Sequence, residues 1–140
     1  MEEIKVFLDT DVIISSLLSR KGASYQLIAK QKVNKVITQT IAEEIKEVTL
    51  RKNIDRTEAK KTLKSIKTIK INLSRAKVTE IFSRYVSDIE DSHVVAGASK
   101  SKTKFLLTYN LKHYKKIPIK NELGIIVLKP GEFLQYLRSR

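Results

Sequence analysis

Three carboxylates and one amide carry the strongest chemical signal in this chain of 140 residues. Asp9 follows the apolar run at 6–8, Asn110 ends a second strand-like run, and Glu44 and Asp91 lie in helix-like segments. If the fold gathers these residues, their carboxylates repel one another unless a cation joins them. Hard oxygen ligands favour Mg²⁺ or Mn²⁺ over zinc. Such a site in a basic domain predicts metal-assisted hydrolysis of phosphodiester bonds.

Helical periodicity separates Glu44 from two neighbouring acids. In the segment TIAEEIKEVTLRK, for which Thr40 is the predicted N-cap, the apolar stripe consists of Ile41, Ile45 and Val48. At about 100° per residue, Glu44 lies roughly 70° from the centre of the stripe, whereas Glu43 points away from it and Glu47 lies toward solvent. Only Glu44 is therefore placed to lean over a sheet edge. The alternative on spacing alone is that all three are surface acids.

Asp91 falls on the core-facing line of the segment DSHVVAGA. One turn later the apolar stripe consists of Val94, Val95 and Ala98. An acid in this position is either a helix cap or a site residue. Asp88 is a second candidate cap, and Ser87 has capping-box spacing with Glu90. We therefore predict that Asp91 belongs to a site, that Asp88 is mainly a cap, and that His93 lies on the solvent side.

Strands and helices alternate along the chain. The strand-like runs are IKVFLD, KVIT, KFLLTYN and IIVLK. The helix-like runs are SYQLIAKQ, TIAEEIKEVTLRK, DRTEAKKTLKSIKTI, RAKVTEIFSRYV, EDSHVVAGASKSK and GEFLQYLRS. This pattern predicts a single α/β domain over residues 1–140, built as a three-layer α/β/α sandwich with a mainly parallel central sheet. In such folds ligands gather at the carboxyl ends of the strands, where Asp9 and Asn110 are expected.

Charge and composition narrow the class of partner. The formal net charge of +13 favours a polyanion, most plausibly nucleic acid. One basic run lies between Asp91 and Glu122, and another extends from Arg51 to Lys77. A solvated lysine-rich surface is the alternative for either run alone. The chain has no cysteine, which excludes disulfides and zinc–thiolate sites. No apolar run is long enough to span a membrane, so we expect a cytoplasmic protein.

Four segments resemble the PIN-domain nucleases, including the VapC-type toxins. FLDTDVIISSLL is similar to the first motif of the family, and ITQTIAEEIKEV to the segment in which an acid precedes an aliphatic residue. The most specific match is VSDIEDSHVVAGASKSKTKFLLTYNLKHY, and IIVLKPGEFLQYL is similar to the last strand and helix. The resemblance covers nearly the whole chain except the lysine-rich middle, roughly 51–79.

The resemblance implies specific roles for the acids. Asp9, Glu44 and Asp91 would be metal-binding catalytic residues, and Asn110 would occupy the fourth catalytic position with Thr108 supporting it through a hydroxyl hydrogen bond. Many relatives have aspartate at the fourth position, so Asn110 would be a weaker ligand. The family cleaves RNA with Mg²⁺ or Mn²⁺, and the VapC-type members further imply a homodimer and a small antitoxin partner.

Further residues are predicted to support these acids or to bind RNA. The supporting residues are Thr10, Asp11, Asp88 and Thr108. Asp11 departs from the family pattern, in which asparagine or serine is more frequent. For Thr10 the sequence leaves two roles open, a hydrogen bond to a phosphate or a hydrogen bond to the backbone of the turn. The predicted substrate-binding residues are Lys112, His113, Lys115 and Lys116.

Two other functions fit parts of the sequence. The stretch VFLDTDVI superficially matches the start of a haloacid-dehalogenase-type phosphatase, with Asp9 as nucleophile and Asp11 as acid/base. The match is short, and the remaining motifs of that class are missing from the sequence. The other alternative is a non-catalytic RNA- or protein-binding module with a PIN-like fold. Clustered acids argue against such a module, because they would repel phosphate.

Overall fold

A central parallel sheet organises the structure, a computed structural model that describes residues 3–140. Within these residues the strands are β1 (Ile4–Leu8), β2 (Val33–Thr38), β3 (Lys67–Ile69), β4 (Phe105–Leu107) and β5 (Ile126–Leu128). Their order is β3-β2-β1-β4-β5, and every neighbouring pair is parallel. The order reverses between β1 and β4, which creates a crevice at their carboxyl ends.

Helices pack against this sheet and complete the predicted three-layer α/β/α sandwich, which is confirmed. They are α1 (Thr10–Leu18), α2 (Ala23–Ala29), α3 (Gln39–Arg51), α4 (Arg56–Lys64), α5 (Arg75–Phe82), α6 (Ser92–Lys100), α7 (Lys116–Leu123) and α8 (Pro130–Arg138). Short 3₁₀ turns lie at Ser83–Tyr85, Ile89–Asp91 and Leu111–His113. No helix within residues 3–140 combines the length and the apolar character needed to cross a bilayer.

The core centres on β1, whose last three residues are inaccessible to solvent. A strand paired on both sides and covered on both faces is expected to be continuously apolar, as this one is. Helix α6 approaches β1 and β2 closely at Gly97, where an added Cβ would overlap the Phe7 ring and lie 2.6 Å from Cγ2 of Thr38. Only glycine fits this contact, which fixes the height of α6 above the sheet.

Four local predictions differ from the structure. Helices α1 and α7 were not predicted, and the predicted helix after Asp55 ends at Lys64 instead of continuing to Ile69. Residues 67–69 form the edge strand β3, which pairs in parallel with β2. Pairing between distant segments leaves no local pattern in the sequence, so this strand was not predicted. The N-cap of α3 is Thr38, not Thr40, because the Thr38 hydroxyl accepts a hydrogen bond from the Ile41 N–H at 3.2 Å.

Candidate active site

Asp9 lies at the carboxyl end of β1, in the crevice between β1 and β4. Its backbone N–H donates to the carbonyl of Leu107 at 3.0 Å, which fixes it beside β4. Its Oδ1 accepts a hydrogen bond from the Thr10 N–H at 2.8 Å. Its Oδ2 accepts from the Thr108 hydroxyl at 2.9 Å and from the Tyr114 hydroxyl at 2.8 Å. Three donors from two distant parts of the chain thus orient this buried carboxylate.

Tyr114 is a site residue that the sequence did not reveal. Only 4% of its surface is exposed. Burial, followed by the charge of Asp9, raises the pKa of the Tyr114 hydroxyl, which therefore stays protonated and donates. Residue 114 is positioned by an isolated antiparallel bridge to Val86 and by the N–H of Lys115 donating to the carbonyl of Tyr85. No periodic pattern predicts such a bridge.

We expect Tyr114→Phe to weaken metal binding by about 10- to 100-fold, because the substitution removes a hydrogen bond that orients Asp9. The phenyl ring keeps the packing and Oδ2 of Asp9 keeps its hydrogen bond from Thr108, so the fold should survive with a loss of about 1–2 kcal/mol for the missing hydrogen bond. Isothermal titration with Mn²⁺ measures the first effect and urea unfolding the second. Tyr136→Phe, whose hydroxyl makes no hydrogen bond within residues 3–140, is the control. Unchanged Mn²⁺ affinity in Tyr114→Phe would contradict this role.

Asp11 adds a second carboxylate next to Asp9. Its Oδ2 accepts a hydrogen bond from the Tyr109 N–H at 3.0 Å, while its Oδ1 is buried and has no hydrogen-bond partner among the described residues. Burial, and then repulsion from Asp9, raise the pKa of Asp11 to about 6. The ionised form is therefore disfavoured here, and a proton or a cation would relieve the cost.

We expect Asp11→Asn to stabilise the metal-free protein at pH 7.5 by about 1–2 kcal/mol, a value discounted for the partial exposure of the group. The raised pKa means that the folded wild type gains protons more readily than the unfolded chain. The wild type therefore recovers stability as the pH falls from about 7 toward 4, whereas the variant lacks this contribution. Urea unfolding in EDTA at pH 7.5 and 5 should show the gap narrowing at pH 5. A constant gap would contradict the assignment.

Glu44 reaches from α3 to Thr10, the residue that follows Asp9. Its Oε1 accepts a hydrogen bond from the Thr10 hydroxyl at 2.8 Å, so Thr10 joins the first turn of α1 to this acid. Glu44 is half-buried, whereas Glu43 and Glu47 are exposed, as the helical periodicity predicted. The buried stripe of α3 consists of Ile41, Ile45 and Thr49, with Val48 only half-buried.

His93 lies at the site, and its predicted solvent position is wrong. The side chain is 21% exposed, and its Nε2 lies 3.7 Å from Oε2 of Glu44. Its Nδ1 is buried with no hydrogen-bond partner among the described residues. The prediction assumed that one face of the helix is exposed to solvent. Helix α6 is instead buried at Ser92 and throughout 94–98, so His93, which lies between these positions, also turns inward.

Asp91 ends the 3₁₀ turn before α6 and makes no capping hydrogen bond with its side chain. Its Oδ2 lies 3.1 Å from Nδ1 of His113. Burial first, and then the charge of Asp9, raise the pKa of Asp91, while His113 opposes this shift. Asp88 caps the turn instead, accepting a hydrogen bond from the Glu90 N–H at 3.0 Å. Ser87 does not form the predicted capping box, because its hydroxyl donates to the carbonyl of Lys112.

Asn110 and the basic loop that follows it lie on the exposed side of Asp91. The Asn110 N–H donates to the Thr108 hydroxyl at 3.0 Å, so these two residues interact through the backbone of Asn110. The amide side chain of Asn110 is exposed and makes no hydrogen bond within residues 3–140. Three of the predicted RNA-binding residues are exposed lysines, namely Lys112, Lys115 and Lys116. The fourth, His113, is turned toward Asp91.

The acids share one electrostatic environment. The charge of Asp9 raises the pKa of both Asp11 and Asp91, and Thr10 links Glu44 to the same cluster. Among residues 3–140, no three Asp, Glu or His side chains are arranged so that they could hold a metal ion together. The chemistry of the donors nevertheless fits a hard divalent cation, since they are carboxylate oxygens in mutual repulsion and include the unpartnered buried Oδ1 of Asp11.

Comparison with known proteins identifies the family of this chain. The family model for the PIN domain matches residues 5–112, more than half of the chain. The chain belongs to the PIN domain family. Members of this family are nucleases. No curated protein matches the chain significantly.

Solved PIN-like structures share the fold at low sequence identity. A toxin–antitoxin complex from Klebsiella pneumoniae aligns with a TM-score of 0.66 and 19% identity over 89% of this chain and 97% of that one. PAE2754 from Pyrobaculum aerophilum aligns at 0.64 and 14% over 98% of both chains. VapBC2 from Rickettsia felis, bound to a DNA fragment from its promoter, aligns at 0.59 and 13% over 89% and 97%. These likenesses establish the fold.

Proposed function

We propose that this PIN domain is a Mg²⁺- or Mn²⁺-dependent endoribonuclease that hydrolyses RNA phosphodiester bonds. The observation that carries the proposal is the cluster of Asp9, Asp11 and Asp91 at the switch point of the sheet, where the charge of Asp9 raises the pKa of both Asp11 and Asp91. A protein with a net charge of +13 would attract RNA. A bound cation would offset the repulsion between the RNA phosphate and the carboxylates.

Each acid has a distinct place in the proposed reaction. Asp9, Glu44 and Asp91 would hold the cation, with Asp9 oriented by Thr108 and Tyr114. A bound Mg²⁺ or Mn²⁺ would supply a nucleophilic water at neutral pH and neutralise charge on the phosphate. Asp11 would add negative charge beside Asp9, which strengthens attraction for the cation.

The exposed residues beside Asp91 would position the substrate. Asn110 presents a free amide at the mouth of the site, and Lys112, Lys115 and Lys116 present ammonium groups that suit phosphate oxygens. His113 would keep Asp91 in place through the contact between Nδ1 and Oδ2. Asn110 and the lysines would thus hold the RNA, while the acids would act on the phosphate that is cleaved.

The site geometry disfavours the phosphatase alternative. An aspartate nucleophile attacks through a carboxylate oxygen, and both oxygens of Asp9 already accept hydrogen bonds, from Thr10, Thr108 and Tyr114. Three donors reduce the nucleophilicity of a carboxylate while orienting it as a ligand. Asp9 is thus better suited to hold a cation than to attack a phosphate.

We also propose that the protein is the toxin of a type II toxin–antitoxin system, acting in the cytoplasm as a homodimer with a small antitoxin. Two of the structural neighbours are toxin–antitoxin proteins, and large apolar residues are exposed at Leu18 (62%), Leu50 (59%) and Ile117 (74%). These side chains would be available for contacts with an antitoxin or a second copy of the chain. Light scattering of the purified protein tests the dimer, and induced expression in a host cell tests toxicity.

Cleavage of a labelled single-stranded RNA by the purified protein tests the nuclease function. The reactions contain Mg²⁺, Mn²⁺ or EDTA, and several RNAs are compared. We expect internal cuts with either metal and none with EDTA. If the protein binds the RNAs equally well in EDTA and cuts none of them with metal, the non-catalytic binding module replaces the nuclease.

A further inference from the structure

The end of the sheet opposite the acids is rich in lysine. Because the strands are parallel, the segments at or just before the amino ends of β1, β2, β3 and β4 lie at one edge, and they are residues 3–5, 30–35, 64–67 and 100–104. Together they contain nine lysines and a single acid, Glu3, whose carboxylate accepts a hydrogen bond from Asn34 at 2.6 Å. We call this surface the amino-end face.

Contacts between the four segments show that they form one surface. A cavity of about 550 Å³ brings three of them together, and its lining includes Lys5, Lys35 and Lys67. Lys5 also reaches the fourth segment, because its Nζ donates to the carbonyl of Ser101 at 3.2 Å. None of the described residues that line this cavity is acidic. The cavity therefore has the charge that suits an anion, unlike the end of the sheet that carries Asp9 and Asp91.

Lys35 places a fixed cation at this cavity. Its side chain is buried, and its Nζ donates to the carbonyls of Ile28 and Lys30, both at 2.8 Å. An ammonium has three N–H groups, so one donor remains for an anion. Burial lowers the pKa of Lys35, and no carboxylate of a described residue pairs with it. A bound phosphate group would supply the missing negative charge.

The other lysines of the amino-end face are also unpaired. None of the nine forms an ion pair with a described residue, and all except Lys5 and Lys35 are exposed. Lys102 follows α6 with a φ of 58°, in the left-handed conformation that glycine or asparagine usually adopts after a helix. A lysine at this position forgoes the stability that a smaller residue would give, which favours a role for its charge.

The composition of the amino-end face suits a phosphate backbone rather than unpaired bases. The large apolar side chains that are exposed within residues 3–140 all lie outside its four segments, so it offers bases no stacking surface. In helical RNA the bases are paired inside and the phosphates lie outside, where lysines can contact them. The face is also distant from the acids, since β1 separates Lys5 from Asp9 by roughly 13 Å at about 3.3 Å per residue.

We infer that the amino-end face binds the phosphate backbone of a double-helical part of the RNA, away from the bond that is cut. The helix of a folded RNA would lie on this face while an unpaired segment of the same molecule reaches the acids at the other end of the sheet. A short unpaired strand would contact the acids alone. The inference rests on the proposed ribonuclease function, because it adds a second contact to the same substrate.

Binding of a fluorescent hairpin RNA with an unpaired tail, followed by anisotropy in EDTA, tests the amino-end face without catalysis. We expect Lys67→Gln and Lys102→Asn each to weaken binding by about three- to tenfold and to lower the salt slope of log Kd by roughly 0.7–0.9. Lys46→Gln, at an exposed lysine of α3 without an ion pair among residues 3–140, should leave the affinity nearly unchanged. Lys102→Asn should unfold at the same or a higher urea concentration than the wild type, because asparagine tolerates the left-handed conformation, so its weaker binding would not reflect a lost fold.

Steady-state cleavage with Mn²⁺ then separates this inference from the proposed function. We expect the two face variants to raise KM for the hairpin with little change in kcat, and to cut the unpaired tail alone as well as the wild type does. Equal effects of the face and control variants, or equal losses for the hairpin and for the tail alone, would overturn the amino-end face as a site for helical RNA. If the wild type cuts neither RNA but Lys67 and Lys102 still determine affinity for the hairpin, the nuclease function fails and the face stands.

Discussion

Asp9→Asn is expected to reduce metal-dependent RNA cleavage by at least about 10³-fold. Asp9 is the most buried of the candidate acids and the one that faces both Asp11 and Asp91 electrostatically. An asparagine keeps the size of the side chain and can still hydrogen-bond with the hydroxyls of Thr108 and Tyr114. The loss would therefore report the missing charge rather than a collapsed site. Single-turnover cleavage with Mn²⁺ measures it.

The stability of the same variant should move in the opposite direction. Without metal, removing the charge of Asp9 relieves its repulsion of Asp11 and Asp91, so the variant should unfold in EDTA at the same or a higher urea concentration than the wild type. Glu43→Gln, at an exposed acid next to Glu44 on α3, should change neither property. Cleavage within about threefold of wild type in Asp9→Asn would refute the assigned role.

Gly97→Ala is expected to destabilise the fold by about 3 kcal/mol or more, a large fraction of the stability of a domain this size. The new methyl group would overlap the Phe7 ring and lie 2.6 Å from Cγ2 of Thr38. Both residues are buried, so neither can move aside at low cost. Thermal unfolding should show a loss of about 10 °C. Cleavage should also fall in the folded fraction, because Thr38 caps the helix that carries Glu44.

Gly131→Ala provides a matched control for this substitution. Gly131 lies in α8, and its nearest neighbour would be the Cβ of Ala23 at 3.9 Å, an ordinary contact. Alanine is the better helix former there, so we expect stabilisation by up to about 1 kcal/mol. A Gly97→Ala protein as stable as the wild type would show that α6 can lift from the sheet.

The parts of the site that follow from local pattern could be predicted from the sequence. Asp9 directly follows β1 and Asn110 lies three residues after the end of β4, because an apolar run followed by polar residues marks the end of a buried strand. Glu44 leans toward the sheet because its place on the helix is fixed relative to Ile41 and Ile45. In each case the signal lies within about ten residues of the position that it describes.

The parts that depend on contacts between distant segments could not be predicted. A backbone bridge to Val86 positions Tyr114, whose hydroxyl donates to Asp9. Strand β3 forms because residues 67–69 pair with the edge of β2. Helix α1 begins with the apolar run at 12–14 shortly after β1, so periodicity does not distinguish its start from a continuation of that strand. The solvent position predicted for His93 was wrong for a related reason. Its helix is buried on nearly every side, whereas the amphipathic pattern applies to a helix with one solvent-exposed face.

The hydrogen bonds to Asp9 also determine when, during synthesis, the site can become complete. The Thr108 and Tyr114 donors follow Asp9 by 99 and 105 positions in the chain. At 5–20 residues per second, a ribosome needs about 5–20 s to make the intervening segment. Throughout that interval the nascent chain carries Asp9 without the two hydroxyl donors to its Oδ2. The proposed ribonuclease would thus stay inactive beside the messenger and ribosomal RNA that produce it, until nearly the whole domain has emerged.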